Sequence, residues 1–75
     1  MNVFYDDEVD ALYIRLGEED PEGVTEMSEG VNVDLTRDGR VVGIEILGAS
    51  KKINLQTLLV YSLELDKKHL FQKVA

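Results

Sequence analysis

The chain has no cysteine and no tryptophan, and it has one proline and one histidine among 75 residues. Without cysteine there is no disulfide, and one histidine without thiols makes a structural zinc site implausible. No apolar run approaches the length of a membrane-spanning helix, and the first ten residues are too acidic for a signal peptide. These absences predict a cytoplasmic protein without a membrane partner.

Positive charge is also scarce. The chain has eight Lys and Arg residues against fifteen Asp and Glu residues, which gives a net charge of −7. Such a field repels phosphates, so we expect no direct binding of nucleic acid. It favours a basic partner, either a protein or a cation.

The hydrophobic fraction of 44% is typical of a globular chain, and 75 residues predict one domain. A domain of this size has little interior, and here neither a disulfide nor a metal adds stability. Self-association is the remaining means of stabilisation, so we expect a homo-oligomer, in the simplest case a dimer.

The apolar pattern predicts an α+β fold: four or five short antiparallel strands over residues 2–47, one helix over about 54–65, and a tail over 66–75. Apolar residues alternate along residues 10–16, 31–35 and 40–47, which is the strand period. Asp38-Gly39 between two such runs predicts a hairpin. Residues 24–28 are expected to form a brief edge strand, residues 48–52 to end the sheet, and Asn54 to cap the helix.

Alternation also predicts two different sheet faces. The face expected to meet the helix carries Leu12, Ile14, Leu16, Val42, Ile44 and Ile46. The reverse face is mixed, because Ala11, Tyr13, Val41 and Leu47 lie among polar residues. The apolar arc of the helix spans about 200° once Tyr61 and Leu65 are included, wider than one packed face needs.

From these two surfaces the sequence predicts a candidate association face, comprising Tyr13, Val41, Leu47, Tyr61 and Leu65. The alternative is an ordinary solvated sheet face.

Two clusters of acidic residues are each open to more than one interpretation. Asp6, Asp7, Glu8 and Asp10 suit a hard-cation site, but they lack the spacing of a calcium-binding loop, and aspartates also close turns by accepting backbone N–H groups. Glu18, Glu19, Asp20 and Glu22 form either a solvated loop or a surface that steers a basic partner.

The chemistry-bearing residues do not form a recognisable catalytic set. Asp34 and Glu45, with Arg15 nearby, suit either an acid–base pair or a cross-strand charge pair that sets register. His69 has no convergent nucleophile, and no phosphate-cradling glycine motif is present. We therefore assign no catalytic residue, no metal ligand and no cofactor.

Several blocks of the sequence resemble a widespread prokaryotic family of small domains of unknown function. They are Tyr5-Asp6, residues 10–16 (DALYIRL), residues 30–35 (GVNVDL), residues 38–47 (DGRVVGIEIL) and Ala49-Ser50. The resemblance covers about residues 3–52 and implies a small β-sheet domain with a C-terminal helix and no agreed activity. It also suggests an antitoxin-like role beside a small basic protein.

The sequence therefore favours a small protein-interaction module, dimeric and acidic, that binds a basic partner in an antitoxin-like manner. The alternative is a structural domain that binds a ligand or cation. A small hydrolase is less favoured, because a sheet covered by one helix offers little concavity for an active site.

Overall fold

Five strands form one antiparallel sheet in a computed structural model that describes residues 2–58 and 60. The strands are β1 (Asn2–Asp6), β2 (Ala11–Arg15), β3 (Gly23–Ser28), β4 (Val31–Leu35) and β5 (Val41–Leu47). Their order across the sheet is β1-β2-β5-β4-β3, so β1 and β3 are the two edges. The predicted α+β class and antiparallel sheet are confirmed, including the edge strand at residues 24–28.

The β4–β5 hairpin forms where Asp-Gly predicted it. Gly39 takes a φ of 87°, a backbone conformation that residues with a side chain rarely adopt. Thr36 closes the loop, because its N–H donates to the Arg40 carbonyl at 2.9 Å and its hydroxyl accepts the Arg40 N–H at 3.0 Å. The hairpin therefore brings β4 and β5 into register at the centre of the sheet.

The core lies on one face of the sheet. Leu12 and Ile46 pair directly across β2 and β5 and are buried with Ala49. Partly buried residues surround them, namely Val3, Ile14, Val31, Ile44, Ile53, Leu55 and Leu58. We call this side the core face and the other side the reverse face.

A β-bulge at Val42 changes the face to which Val41 belongs. Asp34 pairs with Gly43, whereas its neighbour Leu35 pairs with Val41, so Val42 is an extra residue in β5. Leu35 alternates with Val31 and Val33 on the core face, and Val41 opposite it joins that face. The prediction that Val41 shares a face with Tyr13 and Leu47 is therefore wrong, since simple alternation does not account for the bulge.

Within the described residues the sheet is followed by two helical segments rather than one helix. Residues 48–52 were expected only to end the sheet, but Ala49–Lys52 form a helical turn, α1, after Gly48 takes a φ of 63°. A second helical segment includes residues 55–58 and 60. The Asn54 side chain accepts the Thr57 N–H at 3.0 Å, which confirms the predicted cap.

The rest of the predicted helix, with Tyr61 and Leu65, and the tail over 66–75 lie outside the described residues. Within the described part of the chain, no helix has the length and apolar character needed to cross a membrane.

Candidate functional site

The reverse face of the sheet brings together the residues that the sequence singled out for association and for acid–base chemistry. In its central row, Phe4 pairs with Tyr13, Tyr13 with Glu45, and Glu45 with Asn32. In the neighbouring rows, Ala11 pairs with Leu47 and Arg15 with Gly43. Along the central row the face therefore changes from aromatic at β1 and β2 to polar at β5 and β4.

Tyr13 lies across the backbone of Gly43 and reaches β4. Its hydroxyl donates to Asp34 Oδ2 at 2.8 Å, and a Cβ on residue 43 would collide with the Tyr13 hydroxyl and ring. The hydrogen bond to Asp34, together with desolvation, raises the pKa of Tyr13 above its usual value. The phenol therefore remains a neutral hydrogen-bond donor at physiological pH.

Asp34 and Glu45 lie on adjacent strands, but they do not face each other. Asp34 is opposite Gly43 and accepts the Tyr13 hydroxyl, whereas Glu45 accepts the Asn32 amide N–H at 3.1 Å. Each carboxylate thus has its own neutral donor. This arrangement sets the strand register and gives little support to the acid–base interpretation.

The Arg15 guanidinium donates hydrogen bonds to the acidic loop that follows β2, over residues 17–19. Its Nε donates to the Gly17 carbonyl at 2.7 Å, and its NH2 group contacts the carbonyls of Glu18 and Glu19 at 3.1 and 3.2 Å. One side chain therefore binds the backbone carbonyls of three consecutive residues.

The acidic loop also makes ion pairs with the β4–β5 hairpin. Glu19 pairs with Arg40 at 3.3 Å and Glu22 with Arg37 at 3.2 Å. These pairs are well exposed, so each contributes little to stability, although they reduce the negative charge at this end of the sheet.

The acidic cluster before β2 closes the turn and anchors the chain that follows the sheet. Asp6 accepts the Glu8 N–H at 3.0 Å. The Asp10 carboxylate accepts the Tyr5 hydroxyl at 2.7 Å, the Ser50 N–H at 3.0 Å and the Ser50 hydroxyl at 2.8 Å. These bonds hold the pKa of Asp10 below its usual value.

The geometry of this cluster is that of a structural junction. Within residues 2–58 and 60, no group of three or more His, Cys, Asp or Glu side chains is arranged to hold a metal ion. The Asp10 carbonyl also accepts the Ala49 N–H at 3.0 Å, so Asp10 caps α1 from a distant part of the chain. Gly48, which precedes α1, has no side chain to do this.

Exposed apolar side chains mark the β1 half of the reverse face. Phe4 is 60% exposed and Leu47 is 44% exposed, on either side of the half-buried Tyr13. Phe4 was missing from the predicted association face. The strand pattern of residues 2–5 places Phe4 on one face of β1, but its position beside Tyr13 depends on the β1–β2 register, which the local pattern does not contain.

A small apolar recess opens on the core face beside the β1 edge. Its walls are Val3, Tyr5, Leu12, Leu55 and Leu58, and its volume is about 30 Å³. Ligand pockets have roughly ten times this volume or more, so the recess has the size of a packing defect at the rim of the core.

The molecule belongs to the class of small α+β domains in which helical segments cover one face of a single five-stranded antiparallel sheet. The model of a family of proteins of unknown function, DUF2283, matches residues 2–50, and the chain belongs to that family. No curated protein and no solved structure matches the chain. The matched segment contains the whole sheet, Asp10 and Ser50, and the resemblance to a family of unknown function is confirmed.

Proposed function

We propose that this protein is an interaction module that self-associates and presents its reverse face to a basic partner protein. One observation carries the proposal, namely the imbalance between buried and exposed apolar side chains. In the described part of the chain the buried hydrophobic residues are Leu12, Val42, Ile46 and Ala49. Large apolar side chains that are 40–68% exposed are Phe4, Tyr5, Val9, Leu16, Val24, Met27, Val41, Leu47 and Val60.

This imbalance supports self-association on energetic grounds. Burial of apolar surface contributes about 25 cal/mol per Å², and a domain of this length starts with little interior. A second copy that covers part of the exposed set adds burial that the isolated chain lacks. We therefore propose a homodimer as the working form of the protein.

The charge supports the second half of the proposal. The net charge of −7 attracts a basic protein over long range. On the reverse face the apolar side chains of Tyr13 and Leu47 lie next to Glu45. A basic partner with an apolar centre could therefore make an apolar contact with Tyr13 and Leu47 and an ionic contact with Glu45. Specifically, we propose that the protein binds a small basic protein in the cytoplasm, in the manner of an antitoxin.

Sedimentation velocity over about 1–200 µM tests the self-association. We expect the apparent mass to rise with concentration from that of one 8.4 kDa chain towards twice that value. A single species of 8.4 kDa across the whole range would contradict the proposed dimer.

A further inference from the structure

We propose that two copies of this chain join through the β1 edge, with β1 of one copy antiparallel to β1 of the other, to make one ten-stranded sheet. This inference rests on the proposed self-association and names the surface that produces it. It follows from a comparison of the two sheet edges, from the residues that such a pairing brings together and from the absence of charge conflict between them.

The two edges differ in how they are protected against pairing. Exposed edge strands recruit other strands unless charges, prolines or bulges prevent it. β3 has Glu26 in its middle, Glu22 and Glu29 on its flanks, and a register shift after Glu26. A second β3 would therefore meet like charge and a distorted backbone.

β1 has no bulge and no proline, and its negative charge is confined to one end, at Asp6 and the turn residues Asp7 and Glu8. Its five residues, Asn2–Asp6, pair with β2 in an unbroken register. Asp6 at the end of the strand is its one charged residue, and Phe4 at its centre is 60% exposed. By the rules that natural sheets follow, β1 is the edge open to a further strand.

The sequence of β1 is complementary to itself when the strand is reversed. A two-fold axis that is perpendicular to the sheet and lies midway between the two Phe4 residues pairs all five residues and keeps like faces together. Phe4 then lies opposite the Phe4 of the second copy, Val3 lies opposite Tyr5, and Asn2 lies opposite Asp6. Aromatic pairs and pairs of an aromatic with a β-branched residue stabilise antiparallel strands.

The same register avoids repulsion. Each Asp6 carboxylate is placed opposite an amide, Asn2, which can donate a hydrogen bond to it. On the core face, Val3 and Tyr5 line the small recess between β1 and Leu55, so the second copy adds apolar atoms at the rim of the core. On the reverse face the two Phe4 rings join the Tyr13 side chains into one apolar strip.

Disulfide trapping tests this register directly, because the chain has no cysteine of its own. Residues directly opposite in an antiparallel pair have Cα atoms about 4.5–5.5 Å apart, within the range of a disulfide. We expect Phe4→Cys to form a covalent dimer under mild oxidation. The matched control is Val24→Cys, which lies on the same face of the opposite edge and is 66% exposed.

A second variant pair retains Phe4, in case its loss weakens association. Asn2→Cys mixed with Asp6→Cys should form a mixed disulfide, whereas Asn2→Cys alone should not, since its two copies lie about 13 Å apart along the strands. Trapping in either experiment, faster than in Val24→Cys, supports the β1 edge.

The outcomes separate the inference from the proposed function. If the unmodified chain sediments as a dimer but neither cysteine experiment traps it faster than the Val24→Cys control, the β1 edge is wrong and self-association remains. If the unmodified chain stays a monomer, the proposed dimer fails and the edge pairing fails with it.

Discussion

At the scale of single residues, Tyr13 and Gly43 show how one contact organises the reverse face. Tyr13 spans β5 to reach Asp34, and it does so because position 43 has no side chain beneath the phenol. The backbone of Gly43 does not need a left-handed conformation, since the positive-φ glycines are Gly30, Gly39 and Gly48. The requirement for glycine at position 43 is therefore steric.

We predict that Gly43→Ala lowers the free energy of unfolding by about 1–3 kcal/mol, the usual effect of forcing a methyl group into a filled space. Tyr13 would have to move away from Asp34. The control is Gly23→Ala, where a Cβ meets nothing within 4 Å; we expect a change within about 0.5 kcal/mol. Urea denaturation measures both, and equal effects would contradict the steric argument.

At the scale of secondary-structure elements, Asp10 joins the β1–β2 turn to α1. Its φ of 52° is a left-handed conformation that aspartate and asparagine tolerate better than most residues. The conformation lets one residue accept bonds through its carbonyl from Ala49 and through its carboxylate from Ser50 and Tyr5. A one-turn helix too short to be stable alone is thereby fixed to the sheet.

We predict that Asp10→Asn lowers the melting temperature at pH 7, because the amide keeps the backbone preference but loses the charged acceptor. The pKa of Asp10 is lowered by folding, so its stabilisation is fully present above the ordinary carboxyl pKa and is lost as the pH falls from that value through the lowered pKa of the folded state. The difference in melting temperature between the variant and the parent chain should therefore narrow as the pH falls below about 4.

Thermal melts at pH 7 and pH 3 provide the measurement, and Asp7→Asn in the same turn is the control for the loss of one negative charge. A gap between Asp10→Asn and the parent chain that is as wide at pH 3 as at pH 7 would show that the carboxylate charge is unimportant.

At the scale of the whole molecule, shape and charge act together. The sheet has one covered face and one open face, and the described part of the chain is flat, with extents of 42 × 32 × 17 Å. A flat acidic body of this kind exposes apolar side chains while its charge keeps copies apart at long range. The two associations proposed for the protein therefore respond to salt in opposite directions.

We predict that raising NaCl from about 0.02 to 0.5 M strengthens self-association and releases basic proteins captured from native lysate, since salt screens both repulsion and attraction. Leu47→Lys should capture less at low salt than Val9→Lys, an equal charge change outside the reverse face; both side chains are exposed. Equal capture by the two variants, or capture unaffected by salt, would contradict the proposed partner surface.

The sequence by itself determined the elements that depend on local chemistry. Period-two alternation defined β2, β4 and β5, Asp38-Gly39 defined the hairpin, and Asn54 defined the start of the second helical segment. Each of these signals acts over a few residues, so neighbours along the chain are enough to produce it. The resemblance to a family of unknown function is carried by the same blocks.

Only the tertiary structure decided which face each residue joins and what the acidic residues do. The bulge at Val42 moved Val41 to the core face. Asp10 became the cap of a helix forty residues away, and Phe4 became a neighbour of Tyr13. Register, bulges and distant caps arise from pairing between segments that are far apart in the chain, and a local pattern contains no record of that pairing.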